Sequence, residues 1–405
     1  MQNAIRFPAL RHQDFRFFWI GQLISLSGTW MHSVAQSWLV YSLTHSPLYL
    51  GIIASLSSLP ILLFTLLGGM VADRFPKRTI LMVTQFLSAL PALFVAVLAD
   101  LRIITVWHVG IAALMLGIVN AFDVPTRQSF LAEVVDRDSI TNAVALNSAA
   151  FNGARVIGPV VAGIVIAHVG IPACFYLNAL SFFAVLFALY RIKTREVQPR
   201  RGKGMIDEIA DGWRFVTQEK AVQFILILIS AFSLFGIPFI TLLPVLADDV
   251  LGSGATGLSL LVASAGSGSF VAALSIAISR EGMNRRFFLP LSALVFSVAI
   301  AVLPFSQNFF LAMALLWFAG WGIVSFLATS NSFIQHAAPD AMRGRVMSLY
   351  TLVFLGLAPI GNTFIGLLAN EVGTLLSLKL TGAFCIAASL IFLRAFVRLP
   401  AEVST

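Results

Sequence analysis

Arg155 stands in the middle of an apolar run. In Asn152-Gly-Ala-Arg-Val-Ile-Gly-Pro-Val-Val-Ala-Gly163 it lies inside a stretch from about Ala143 to Ala167. As a helix, that stretch leaves the guanidinium roughly 12 residues, or about 18 Å, from either end. Its flexible stem spans only part of that distance, so the charge must enter a wet cavity or meet an acceptor. Ser148, Asn152 and Pro159 fall on the same helical face, at spacings of 4, 3 and 4. Two readings stand. Arg155 meets a substrate or coupling group, or it bonds carbonyls and polar groups of a neighbouring helix.

A second polar set precedes it. Gln22, Ser25, Thr29, His32 and Gln36 follow one another at spacings of 3, 4, 3 and 4. Such spacing places all five on one helical face. In an apolar surrounding that face must look at other helices or at water. It either lines a cavity or ties helices together. His32 has the side chain whose ordinary pKa, about 6.5, suits a proton carrier; the alternative is a hydrogen-bonded structural histidine. Asp123 is the acid most deeply embedded in an apolar run, two residues before Pro125, with Arg127 just beyond. It reads either as a proton-coupling carboxylate or as a latch partner of Arg74 or Arg127. Aromatic rings add apolar area. Trp317 and Trp321 share one face, Phe232, Phe235 and Phe239 another, and Trp30 and Trp38 are further rings. They would suit a bulky amphipathic ligand, or plain helix packing.

Other chemistries are absent. Gly252-Ser-Gly-Ala-Thr-Gly257 has the Gly-x-Gly-x-x-Gly spacing, but it follows a long apolar run and has no strand before it, so it is no dinucleotide site. There is no Walker loop, no Ser-His-Asp set and no metal-ligand cluster. Cys174 and Cys385 sit alone within apolar runs. No enzyme, cofactor, metal or nucleic-acid partner is expected.

The elements that must hold these residues follow from composition. Hydrophobic residues make up 59% of the 405 and charged ones only 11%, far below the charge a soluble globular surface needs. Apolar runs long enough to cross a ~30 Å hydrocarbon core recur along the chain. The expected spans are 15–43, 47–72, 79–99, 104–124, 141–168, 172–191, 220–246, 256–279, 287–304, 308–330, 345–369 and 374–394. With the N-terminus in the cytoplasm, cytoplasmic segments hold all of the 26 Lys and Arg except Arg102, Lys379 and Arg155. That asymmetry predicts cytoplasmic N- and C-termini and an even number of spans. The net charge of +8 is a topology signal, spread over many short loops.

The chain also repeats itself. Residues 129–170 overlay 332–373 without a gap at a shift of 203, bringing Gly153, Gly158, Gly163 and Gly170 onto Gly356, Gly361, Gly366 and Gly373. Two parallel repeats, with a site near the midplane between them, describe a transporter. Arg155 falls on Ala358, so the repeat itself does not require a cation there. Gly158, Pro159 and Gly163 read as a bend and close-packing element. The expected division is an N-terminal bundle over 1–190, a cytoplasmic linker over 191–219 and a C-terminal bundle over 220–405. In the linker, Met205, Ile206, Ile209, Trp213 and Phe215–Val216 fall near one side of a helix, which reads either as an amphipathic helix on the cytoplasmic membrane surface or as a solvated linker with no surface helix.

Between the second and third spans stands Gly68-Gly-Met-Val-Ala-Asp-Arg-Phe-Pro-Lys-Arg78. Gly68, Gly69 and Ala72 are small enough for close helix approach. The segment resembles the Gly-x-Leu-Ala-Asp-Arg-x-Gly-Arg-Arg loop of the major facilitator superfamily, departing from it at Pro76. The resemblance implies that Asp73 caps helix eleven, which begins near Met342-Arg-Gly-Arg-Val346, and that Gly69, Asp73, Arg74, Arg78, Asp123, Arg127 and Arg343 belong to a cytoplasmic latch. "GTWMHSVAQSWLVYSLTHSP", "NAFDVPTRQSFLAEVV" and "PDAMRGRVMSLY" look like the branch containing enterobactin exporters and bacterial drug-efflux transporters. Residues 154–163 are similar to the helix-five motif of that superfamily's antiporters, with alanine at two glycine positions.

The resemblance implies an all-α membrane protein of major facilitator fold, twelve transmembrane helices in two six-helix pseudo-symmetric bundles. It implies a monomer in the lipid bilayer of a bacterial inner membrane, exchanging protons for a siderophore or drug by alternating access. The candidate substrate or coupling residues are Arg155, His32, Gln36, Thr29, Ser25, Asn152, Trp317, Trp321 and Phe235. A lipid or lysolipid flippase on the same fold, and a non-transporting receptor or scaffold, are the other expectations.

Overall fold

A computed structural model describes residues 7–192, 213–278, 285–339 and 342–398. Among these residues the chain is helical throughout and has no strand. Twelve long helical segments follow one another: α1 (Gln13–Thr44), α2 (Pro47–Arg74), α3 (Lys77–Asp100), α4 (Val106–Phe130), α5 (Ile140–His168) and α6 (Ile171–Arg191), then α7 (Lys220–Val250), α8 (Gly254–Ile278), α9 (Arg285–Val302), α10 (Phe309–Ala337), α11 (Arg343–Val372) and α12 (Thr374–Val397). Helices satisfy their own backbone donors and acceptors, which a hydrocarbon surrounding requires. Eleven of them are long and apolar enough to cross a membrane. The remaining one, α1, is 32 residues long, but Gln22, Ser25, Thr29, His32 and Gln36 lower its hydropathy. Large apolar side chains such as Leu63, Leu180, Phe183, Phe187 and Ile391 are exposed, an outer surface that suits lipid rather than water.

The chain forms two compact units. The first takes in Met1–Leu43 and Leu56–Arg201, the second Thr44–Ser55 and Gly202–Thr405. Of the expected linker, Met205, Ile206 and Ile209 lie outside the described residues, and 213–218 is helical.

In the first unit, glycines set the helix crossings. A Cβ at Gly158 would stand 2.5 Å from Trp30 Cβ and 2.6 Å from Ser27 O, so α5 and α1 touch backbone to backbone there. At Gly68 a Cβ would stand 2.1 Å from Ala121 O, which brings α2 onto α4. Ala72 is buried. Gly69, expected to share in this close approach, has nothing within 4 Å of a Cβ position; the contact is made by the neighbouring Gly68, about 100° round the helix axis. Phe15, Phe18, Leu81, Phe130, Val185 and Leu189 form an apolar core at one end of the unit, with Phe18 and Phe130 edge to face at 5.1 Å.

The second unit repeats the pattern with less regular helices. A Cβ at Gly361 would stand 2.5 Å from Ser233 O, and one at Gly320 1.9 Å from Ala265 O. α7 is α-helical to Ala231, then forms a π turn at Phe232–Gly236, a 3-10 turn at Ile237–Leu242 and a second π turn at Leu246–Val250. Pro238 and Pro244 offer no N–H to an α-helical ladder, which accounts for the break in regularity. α11 is interrupted at Leu357, just before Ala358-Pro359. Gly252 and Gly254 have positive φ angles of 57° and 59°. Their Gly-x-Gly spacing therefore serves the turn between α7 and α8.

Candidate functional site

The first unit holds a charged network inside its helices. Asp123 on α4 is 2% exposed. Its Oδ1 accepts hydrogen bonds from Thr84 Oγ1 and Gln85 Nε2 of α3, both at 2.8 Å. Its Oδ2 lies 2.7 Å from Arg127 Nη2, one turn along α4. Arg127 Nη1 donates onward to Gln22 Oε1 of α1 at 3.0 Å. Three helices are thus joined through one ion pair. The pair satisfies both charges, which burial demands. Two polar atoms beside it are left over: Gln22 Nε2 and Gln85 Oε1 are buried and have no hydrogen-bond partner.

Arg127 also forms part of the wall of a cavity of about 550 Å³. Its other lining residues are Leu26 of α1, Val124, Gln128 and Leu131 at the end of α4, and Val144, Asn147, Ser148 and Phe151 of α5. The size falls in the range of small-molecule sites, and the lining combines apolar walls with a few polar groups, as such sites do. Phe151 packs edge-on against Trp30 at 6.0 Å. Over the face of Trp30, at 5.2 Å, lies the guanidinium of Arg155. Arg155 is half-buried and has no hydrogen bond or ion pair among the described residues. What α1 offers it is a π face, and no carbonyl or polar side chain. Such a cation–π contact is worth about 0.5–2 kcal/mol and leaves the five N–H donors of the guanidinium to spare.

The rest of the α1 stripe divides. Gln22, Ser25 and His32 are buried, Gln36 is half-buried and Thr29 is exposed. Thr29 Oγ1 donates to Ser25 O, one turn back. His32 is held at both nitrogens: Asn178 Nδ2 of α6 donates to Nδ1 at 3.2 Å, and Nε2 faces Gln36 Oε1 at 3.1 Å. An amide nitrogen only donates, so Nδ1 accepts and the ring is the neutral form protonated at Nε2. Its ring also meets Phe175 edge-on at 4.8 Å. Asn152, buried on α5, donates to Ser148 O. Pro159 and Gly163 are buried on the same helix.

The aromatic residues of the second unit serve mainly to pack it. Phe232 meets Phe296 and Phe326 at 4.9 and 5.3 Å, and Phe239 meets Phe296 at 6.3 Å. Phe235 turns instead to Phe364 and Phe384, at 5.4 and 4.4 Å. The three do not share one wall as a regular helix would place them, because the π turn shifts the register between them. Trp317 and Trp321 are half-buried, against Phe318 and Phe288 respectively.

The expected latch residues lie near helix ends. Asp73 and Arg74 are exposed at the end of α2. Arg78 donates to the carbonyls of Leu189 and Tyr190 at the end of α6, at 2.7 and 3.0 Å. Arg343 donates to Gln335 O at the end of α10 at 2.8 Å. Cations are favoured at helix C-termini by the backbone dipole. Among the described residues no group of His, Cys, Asp or Glu could hold a metal ion.

Thr84, Gln85 and Asn178 escape a reading of the sequence by motif. Their signal is a polar side chain in an otherwise apolar run, the same signal that marked Asp123.

A helical membrane fold of two repeats, with ionised side chains buried in one of them, defines a solute transporter of the major facilitator type. The chain belongs to the transmembrane secretion effector family of that superfamily, whose model matches residues 4–404. It is 26% identical over 386 residues to the staphyloferrin A transporter of Staphylococcus aureus, covering 93% of this chain and 95% of that protein. It is equally 26% identical, over 367 residues, to the multidrug efflux pump Tap of Mycolicibacterium fortuitum, with 87% and 89% covered. Among solved structures, a bacterial homologue of the human lysosomal transporter Spinster, inward-facing and occupied, superposes with a TM-score of 0.76 at 13% identity, with 98% of each chain covered. A D-xylose–proton symporter superposes at 0.73 and 14% identity, covering 93% of this chain and 97% of that one. These last two share the fold.

Proposed function

We propose that this protein is a proton-coupled exporter of a bulky amphipathic small molecule bearing an oxygen-rich or anionic group, of the siderophore or drug class. It works as a monomer by alternating access, in a bacterial inner membrane with both termini cytoplasmic. The observation that carries this reading is Arg155. A cation halfway along α5 is held over Trp30 with its donors unused, beside a ring that lines a cavity large enough for a small molecule. The repeat has Ala358 at the matching position, so the scaffold does not need the charge. The names of the two relatives, a siderophore transporter and a multidrug pump, support the same substrate classes. Asp73, Arg74 and Arg343, at the ends of their helices, are proposed to act in gating. His32, bonded at both ring nitrogens, is proposed to orient α1 against α6.

The test is export into or out of proteoliposomes under an imposed pH gradient, with citrate-based siderophores and cationic, neutral and anionic drugs as substrates. The expected result is flux that follows the gradient and that Arg155→Ala loses for anionic substrates at undiminished protein level. Flux indifferent to the gradient would overturn the coupling. Unchanged anionic flux in Arg155→Ala would overturn the role of the arginine.

A further inference from the structure

α6 ends differently from α12, its counterpart in the repeat. Leu180, Phe183, Phe187, Tyr190 and Arg191 fall on one helical face, and all five are exposed. Arg191 lays its guanidinium over the ring of Phe187 at 5.2 Å. Neither Arg191 nor the Tyr190 hydroxyl has a hydrogen bond among the described residues. Arg78 comes to the same helix end from α3. Its Nε and Nη2 donate to Leu189 O and Tyr190 O at 2.7 and 3.0 Å, which leaves Nη1 to spare. Phe187 lies one turn nearer the membrane centre than Arg191. A cation seeking only water would extend past the helix end. This one turns back along the outward apolar face, where the protein gives its donors nothing to bond. At a shift of 203, Arg191 falls on Arg394, but Phe187 and Tyr190 fall on Leu390 and Leu393. The second half keeps the cation and lacks both the ring and the hydroxyl.

We propose that the end of α6 is a binding site for an anionic phospholipid. The phosphate accepts from the guanidinium of Arg191 and from Nη1 of Arg78, whose planar forks match its oxygens. The Tyr190 hydroxyl donates to a phosphate or ester oxygen, at the headgroup level that tyrosine favours. An acyl chain lies along Phe187, Phe183 and Leu180. Phe187 fixes the orientation of Arg191 through its π face and leaves the N–H edge to the ligand. Among the described residues, none that lines the cavity belongs to α6, so the lipid is a bound partner and not the cargo.

The charge around this helix end favours an anion. Glu133 is engaged by Lys77 at 2.6 Å and does not neutralise either arginine. Beyond Ile192 the sequence adds Lys193, Arg195, Arg200, Arg201 and Lys203 against Glu196 alone. Those residues lie outside the described ones and form no part of the site, but a basic segment beside a membrane helix draws anionic lipid towards it. After Arg394 the sequence adds only Arg398, against Glu402. The inference stands apart from the transport reading, since it needs only that the chain spans a membrane.

The test is native mass spectrometry of the full-length protein, released from detergent micelles that hold equal amounts of phosphatidylglycerol and phosphatidylcholine. The native protein should carry phosphatidylglycerol in preference. Arg191→Ala should lower the bound phosphatidylglycerol about fivefold, the worth of one arginine near an anionic surface. Arg394→Ala should leave it unchanged. Phe187→Leu copies the second half and keeps every charge. It should cause a smaller loss than Arg191→Ala, as should Tyr190→Phe, and it keeps the test decisive if Arg191→Ala folds poorly. Equal binding of the two lipids by the native protein would overturn the proposal. So would equal losses in Arg191→Ala and Arg394→Ala, which would reduce the effect to bulk charge. Displacement of the lipid by an equal concentration of glycerol 3-phosphate would also overturn it, because the site would then need no acyl chain.

Discussion

The fourth and tenth helices are the same element of the repeat, and they carry opposite chemistry. At a shift of 203, Gly117 of α4 falls on Gly320 of α10, and both glycines hold a close backbone crossing, one against Ser57 O and the other against Ala265 O. Six residues further on, Asp123 falls on Phe326. Around Asp123 lie Thr84, Gln85, Arg127 and Gln22. Around Phe326 lie Phe232 and Phe392. The crossing of α1 and α5 at Gly158 is likewise repeated by α7 and α11 at Gly361, while Arg155 has only Ala358 to match it. Duplication has kept the backbone approaches and let the chemistry part. In this family member, the positions that the halves share are scaffold, and the positions they do not share are where a transported ion or solute is to be sought.

The largest test of that contrast removes one side of the ion pair. Asp123→Leu should lower stability by about 3–5 kcal/mol, because a buried cation loses its partner. Thermal unfolding in detergent would show it. Adding Arg127→Met should recover most of the loss, and a double variant no better than the single would mean that the pair is not what holds α4. A smaller effect is expected at the repeated clasp. Arg78→Met and Arg286→Met each remove a charged donor from helix-end carbonyls and should cost about 1.5–3 kcal/mol. The contrast is sharpened if the two losses are alike, since Arg286 donates to Val397 O at the end of α12 as Arg78 does to the end of α6. The smallest is Phe326→Leu. An apolar core accepts a change of shape for about 1 kcal/mol, and the proposed pH-driven flux should be the same with and without the substitution. A pH response altered by Phe326→Leu would show that the aromatic half takes part in coupling.

The spans were readable because hydropathy averages over many residues. α3, α6 and α12 lie within a few residues of the expected 79–99, 172–191 and 374–394. Periodicity was informative wherever the helix is regular. The i to i+4 spacing of Asp123 and Arg127 does become an ion pair. It failed on α7, where the π turn at Phe232–Gly236 and the 3-10 turn that follows at Pro238 part Phe235 from Phe232 and Phe239. At the Gly68-Gly69 pair, composition marked a close crossing, but which glycine meets α4 depends on the rotation of a helix about its axis, and side-chain identity does not encode that. The partners of His32 and Asp123 were out of reach for another reason. Asn178 and Gln85 come from other helices, and a lone polar residue in an apolar run announces burial without naming what it will meet.

The clasp has a consequence for biogenesis. Arg78 reaches Leu189, and Arg286 reaches Val397, across the same 111 residues. At translation rates of roughly 5–20 residues per second, each arginine waits on the order of 5–20 s for its carbonyls to be synthesised. During that interval Arg78 of α3, and later Arg286 of α9, lacks the carbonyl on which it ends in the folded protein. The last helix of each half therefore closes it like a dovetail. A chain cut short before α6 or α12 would therefore leave a half whose arginine lacks these helix-end carbonyls.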